Sequence, residues 1–135
     1  MANDYNFALI EEFRANNGKL GGRWANSQLV LVNTIGAKSG QVRTIPLVHL
    51  QQRDRIYIVG SAAGSHKHPD WYHNLLANPD ISYELGGSPV EAIAMLVEGE
   101  DRATAWTEIV AAFPFFGDYQ DQVSREIPVF VLTPR

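Results

Sequence analysis

Between two apolar runs, the stretch Ile35–Leu47 sets the cations Lys38 and Arg43 around three small residues, Gly36, Ser39 and Gly40. Successive backbone N–H groups at a Gly/Ser turn form a concavity that holds an anion. A lysine adds a point charge to such a turn, and an arginine adds a planar fork that matches phosphate or carboxylate oxygens. The same residues also suit a hairpin tip with a solvated lysine and an arginine on an exposed strand face, so the turn alone leaves both readings open. It is not a Walker A loop, because G-x-x-x-x-G-K-[ST] spacing is absent from the chain.

A second concentration of chemistry is SHKHPDWYHNL, which brings His66, His68, Asp70 and His73 close together in sequence. H-x-H-x-D resembles the start of a hydrolase metal site. Here Trp71 follows Asp70, and the remaining histidine, His49, would have to complete the shell, so no metal ligand set is assigned. The imidazoles are expected to cap a helix start or line a cleft. Neither G-x-S-x-G nor S-x-x-K surrounds Ser39, Ser61 or Ser65, which leaves a hydrolase without its nucleophile. Cysteine is absent, which removes thiolate chemistry, so any redox function must use a cofactor. Phe113, Phe115 and Phe116 stand beside Pro114 and Gly117 in an expected loop, where they would expose apolar area unless they wall a pocket for a planar heterocycle.

These residues need a scaffold. Apolar spacing predicts a helix over Asn3–Asn17, followed by a Gly-rich connector, Gly18–Trp24. Strands are expected at Gln28–Ile35, Val42–Leu50 and Arg55–Ser61, joined as a meander, and Pro46 within the second marks an edge or a bulge. Pro69 opens a short helix that Asn78-Pro79 ends. A strand pair follows at Ile81–Leu85 and Val90–Val97, then a helix over Glu100–Phe113 with Ala103, Trp106, Ile109, Val110 and Phe113 on one stripe, and a last strand at Ile127–Thr133. Strands joined by short turns rather than in βαβ alternation disfavour a Rossmann sheet. A mainly β, α+β fold is expected: a small antiparallel barrel with helices packed outside, as one domain over residues 1–135, with residues 1–24 forming its helical N-terminal part.

The chain has 135 residues, 19% of them charged, and a formal net charge of −4. An acidic balance argues against a nucleic-acid partner, which needs a basic face. No window reaches the ~20 apolar residues of a membrane span, and the start lacks a basic-then-apolar leader, so the expected location is the cytoplasm.

Taken together, GAKSGQVRTIPLV, SAAGSHKHPDWYHNLLANP and DYQDQVSREIPVFVL resemble the deazaflavin-dependent nitroreductase family. The resemblance implies a split β-barrel of the flavin-reductase type that binds coenzyme F420, an 8-hydroxy-5-deazaflavin with a phosphate-bearing tail; FMN is the alternative cofactor. It implies that Lys38, Ser39, Gly40, Gln41 and Arg43 hold the phosphate, and that Ile45, Pro46, Leu47, Val59, Ser61, Ala62, Trp71 and Asn74 surround the ring. The implied activity is reduction of a small-molecule acceptor (activated C=C, quinone or nitro) by hydride transfer, with a noncatalytic deazaflavin carrier as the competing function. Tyrosines line the family's substrate side; here the corresponding positions are Phe113, Phe116 and Tyr119, leaving Tyr119 as proton donor and His68 or His66 as the second candidate. Either a monomer or a homodimer fits.

Overall fold

The computed structural model describes residues 4–21, 28–52 and 55–135. In chain order its elements are helix α1 (Asp4–Ala15), strands β1 (Leu29–Ile35), β2 (Val42–Gln52) and β3 (Arg55–Val59), and a single 3-10 turn at Ala62–Gly64. These are followed by α2 (Asp70–Ala77), β4 (Asp80–Glu84), β5 (Val90–Leu96), α3 (Gly99–Ala112), α4 (Phe115–Asp121) and β6 (Val129–Pro134). All strand pairs are antiparallel, and the sheet closes into a barrel in the order β1-β2-β3-β6-β5-β4.

Period-two alternation decides what fills the barrel. Val30 and Val32, Ile56 and Ile58, Ile81 and Tyr83, Ala92 and Ala94, and Phe130 and Leu132 are buried in one cluster, with Ile45 and Leu47 packed at its margin. Trp71 and Leu75, four apart on α2, join the same cluster, so this helix closes the barrel's interior. The alternate residues face outward and need covers. Leu9 and Phe13 of α1 lie on Leu29 and Leu31, while Ala105 and Ile109 of α3 and Phe116 of α4 lie on Val59, Ile127 and Val129. Each fully buried side chain of the size of Phe13 or Ile109 contributes about 1.5–3 kcal/mol over its exposed state.

The expected strands are present, with ends displaced by one or two residues. β2 runs on to Gln52, β3 stops at Val59, and Ile127 and Pro128 are buried ahead of β6 rather than within it. The expected connector Gly18–Trp24 lies outside the described residues from Gly22 onward. Two corrections concern helices. Phe113–Tyr119 is no loop, because α4 begins at Phe115 with Pro114 as its N-cap, a proline-led start that local composition disguises as punctuation. On α3 the buried face is Ala105 and Ile109, whereas Ala103 is exposed and Trp106 is half-buried beneath the Arg102 guanidinium, 4.6 Å from its ring centroid.

Candidate functional site

The β1–β2 turn is closed on itself and tied to α2. Gly36 N–H donates to Gln41 O (2.8 Å), Gly40 N–H to Gly36 O (3.0 Å), and Gln41 N–H to Ser39 Oγ (3.1 Å). From α2, Asn74 Oδ1 accepts the Ala37 N–H at 2.9 Å, and Asn78 Nδ2 donates to Ile35 O at 3.2 Å. A Cβ at Gly36 would collide with Ser39 Oγ, so a larger residue there would displace the serine from its bond to the Gln41 N–H. What this bonding leaves over is informative. Among the described residues, the backbone N–H groups of Lys38 and Ser39 donate to no protein acceptor, and neither Lys38 nor Arg43 forms an ion pair. Both cations are exposed, and a Cβ built at Gly40 (φ +70°) would meet only open space. The turn is thus a rigid, uncompensated cationic cradle, which fits a phosphate-bearing ligand.

Beyond the turn, β2 is only half enclosed. It pairs with β1 from Val42 to Val48, but its register with β3 covers His49 to Gln52 alone. Ile45, Pro46 and Leu47 therefore lie half-buried along a stretch with a strand on one side. Pro46 occupies the edge expected of it, where a missing N–H breaks no ladder on the open flank.

The chain after β3 enters an unusual conformation. Ala62 (φ 48°) and Ala63 (φ 53°) both occupy the left-handed region, followed by Gly64 (φ 82°). Each non-glycine residue held there costs about 1–2 kcal/mol. The loop is braced on several sides. A Cβ at Gly60 would lie 2.8 Å from Pro128 Cγ and 3.5 Å from the Trp71 ring, and one at Gly64 would lie 3.3 Å from Tyr119 Cδ1. The principal brace is Arg125: Nη1 donates to Gly60 O (3.2 Å), Nη2 to Ser61 O (2.9 Å) and Nε to Ser65 O (3.0 Å), and Nη1 also contacts His68 Nδ1 (2.9 Å). Gln120 in turn pins the segment carrying Arg125, accepting from Ile127 N–H (2.9 Å) and donating to Arg125 O (2.8 Å).

The structure ties several of the sequence-predicted residues to the β1–β2 turn or to the loop after β3. Asn74 meets the cationic turn, Trp71 meets Gly60, Tyr119 meets Gly64, and the His68 ring stacks on Tyr72 at 4.0 Å between centroids. Burial, the Arg125 charge and His73 together lower the His68 pKa below the ordinary histidine value. His73 is exposed, with its ring edge-on to His68 and Tyr72 (6.3 and 5.1 Å between centroids); His66 is exposed, and His49 is buried in β2 with its Nδ1 unpartnered. Val59 and Phe116 belong to the core beneath α3 and α4, so Phe113, Phe115 and Tyr119 are the rings of that group that reach the surface, with Phe115 41% exposed. Two clefts elsewhere, about 360 Å³ beside Arg14 and Glu84 and about 510 Å³ between α3 and the outer face of β3, β5 and β6, contain none of the predicted site residues.

Arg125 and Gln120 carry no role in the sequence reading, and Asn78 enters it only as a helix end. Arg125 was visible within the third of the quoted blocks, but its acceptors are mostly backbone carbonyls some 60 residues distant, which no local pattern discloses.

A closed antiparallel barrel with one half-open strand edge, a cationic turn at its end and an aromatic-flanked loop beside it defines a split-barrel protein of the kind that holds a redox coenzyme. Residues 8–134 match the model of the F420H(2)-dependent quinone reductase family, and the chain belongs to that family. A Mycobacterium tuberculosis F420H(2)-dependent quinone reductase is 38% identical over 128 residues, covering 91% of this chain and 85% of that protein. The solved structure of an F420-H2 dependent reductase, FDR-A, is 39% identical with a TM-score of 0.72, covering 78% of this chain and 93% of the other. A second solved structure, a domain-swapped dimer, is 35% identical with a TM-score of 0.75 and covers 93% and 92%. A Listeria innocua protein of the pyridoxamine 5′-phosphate oxidase type, 16% identical with a TM-score of 0.57, covering 80% of this chain and 84% of the other, is alike in fold alone. The chain is accordingly an F420H2-dependent oxidoreductase, with coenzyme F420 as its cofactor. Among the described residues no helix is long and apolar enough to cross a membrane.

Proposed function

We propose that this reductase acts on quinones and related activated C=C acceptors, binding F420 by its phosphate-bearing stem at the β1–β2 turn. The observation that carries this reading is the cationic turn itself: Lys38 and Arg43 unpaired, with the Lys38 and Ser39 N–H groups unoccupied among the described residues. On a chain of net charge −4, such a cluster supplies local attraction for an anion that the rest of the surface would repel.

When bound, the coenzyme supplies a hydride from its deazaflavin ring. The chain's own residues bind, orient and protonate. Lys38 and Arg43, with the backbone at Ser39, Gly40 and Gln41, hold the phosphate oxygens. Ile45, Pro46 and Leu47 on the open flank of β2 offer an apolar edge to the ring, and Ser61, Ala62, Trp71 and Asn74 fix the opposite boundary, held by the braces at Gly60 and Ala37. Proton delivery to the reduced acceptor falls to Tyr119, whose hydroxyl has no hydrogen-bond partner among the described residues, or to the His68 imidazole. Phe113 and Phe115 give the acceptor side flat apolar walls without hydroxyl donors, which suits a planar, largely apolar acceptor such as a quinone.

The reading is tested by titrating the apoprotein with F420 and with FMN, and by comparing F420H2-driven turnover of a quinone and a nitroaromatic. Tighter F420 binding and preferential quinone turnover are expected; FMN preference would reject the site assignment.

A further inference from the structure

The geometry points to Arg125 as a positioning residue: it holds the Gly60–Ser65 loop in its left-handed form and locks the His68 imidazole in a single tautomer, with Nδ1 as acceptor and the proton on Nε2. A guanidinium has five N–H donors and no acceptor. Here four of its donor directions are directed at Ser65 O, Gly60 O, Ser61 O and His68 Nδ1, at 3.0, 3.2, 2.9 and 2.9 Å. Because arginine cannot accept, the 2.9 Å contact requires a lone pair on Nδ1, so the neutral ring carries its proton on Nε2. Stacking on Tyr72 at 4.0 Å fixes the plane of the ring, and the bond to Arg125 fixes its rotation within that plane.

The three carbonyl bonds serve a second purpose. Left-handed Ala62 and Ala63 persist only if their surroundings over-determine them. Arg125 captures the carbonyls that flank both alanines, so one side chain couples the loop's conformation to the tautomer of the histidine three residues beyond it. Among the described residues Arg125 has no carboxylate partner; the neighbouring Glu126 reaches Arg102 instead, at 3.9 Å. The groups bearing on the ring are therefore Arg125, His73 at 6.3 Å, Tyr72, and the chain neighbours His66, Lys67 and Asp70, with Tyr119 against the loop from α4. A cation in direct contact and a second imidazole nearby both oppose protonation of His68.

His68 as a proton donor rests on the proposed function, whereas the tautomer lock does not, and the test separates them. Histidine-selective 15N NMR on the full apo chain, with His68 assigned by His68→Gln, is compared for wild type, Arg125→Lys and Arg125→Gln. In wild type His68 should show an unprotonated Nδ1 and a protonated Nε2 at neutral pH. Arg125→Gln should give mixed tautomers and titration at higher pH, and Arg125→Lys should loosen the tautomer while keeping the charge. A protonated Nδ1 in wild type, or unchanged tautomer and titration in both variants, would overturn the inference; if the glutamine variant fails to fold, wild type and the lysine variant still decide it. A proton donor acts only while protonated, so the alkaline limb of the kcat profile with quinone should move with the His68 titration. A limb that stays fixed while the NMR result holds rejects His68 as donor and leaves the tautomer lock standing.

Discussion

Asn74 Oδ1 accepts the Ala37 N–H at 2.9 Å, joining the helix that closes the barrel to the turn that carries the two unpaired cations. The resemblance placed Asn74 on the coenzyme's wall; in the structure its carbonyl oxygen is already committed to the turn. Asn74→Leu should hand the exposed Ala37 donor to water and cost about 0.5–1.5 kcal/mol of stability. It should also weaken F420 binding roughly fivefold by loosening the cradle, a loss of about 1 kcal/mol. Chemical denaturation and a coenzyme titration check the two figures, and unchanged affinity with reduced stability would restrict Asn74 to a structural role.

Arg14 and Glu84 form a bidentate pair on the barrel's outer face, at 3.1 and 2.8 Å, with Asn33 Nδ2 donating to the same carboxylate at 3.1 Å. The hydrogen bond from Arg14, opposed by burial and aided by Asn33, holds the Glu84 carboxyl below its ordinary range. A folded pKa below the unfolded one means stability that is present above about pH 4.3 and lost as pH falls through the lowered value. Glu84→Gln should therefore cost about 1–3 kcal/mol at pH 7. It should also flatten the fall of Tm between pH 5 and 3, and an equal slope in wild type and variant would contradict the coupling.

His49 presents the opposite chemistry with the same sign. Burial, only partly offset by the Gln28 backbone, lowers its pKa, and Nδ1 has no partner. The unfolded chain then binds a proton more readily than the folded one, so stability is complete above about pH 6.5 and declines as pH falls through the lowered folded value. His49→Leu should reduce the loss of Tm between pH 7 and 5, leaving the part that His68 contributes. An unaltered pH dependence would show that His49 has the same pKa folded and unfolded, contradicting the effect of burial.

Much of the barrel was legible because short apolar, β-branched runs such as LVLVNTI and VFVLT are set off by turn residues, and because Pro46 announces the strand's open flank. Asn74 and Trp71 were assigned to the site only through the resemblance, since nothing local says that α2 reaches the β1–β2 turn. α4 was hidden by Pro114 and Gly117, whose local meaning is punctuation, and Phe116 was misjudged with it, because the helix turns that ring into the core beside Ile109 and Val129. Arg125 was hidden for a different reason. Its partners are carbonyls, which carry no residue signature, and they lie on a loop whose left-handed alanines contradict their own propensity.

Whether the β1–β2 turn grips the anionic stem of F420 is tested most directly by the coenzyme's Kd for wild type, Lys38→Ala, Arg43→Ala and the double variant, at low and high salt. Each lost charged hydrogen bond is expected to cost about 1.5–3 kcal/mol, a rise in Kd of at least roughly tenfold per single variant, with folding unaffected and a weaker salt dependence in the double variant. A double variant that binds F420 as tightly as wild type would contradict the account.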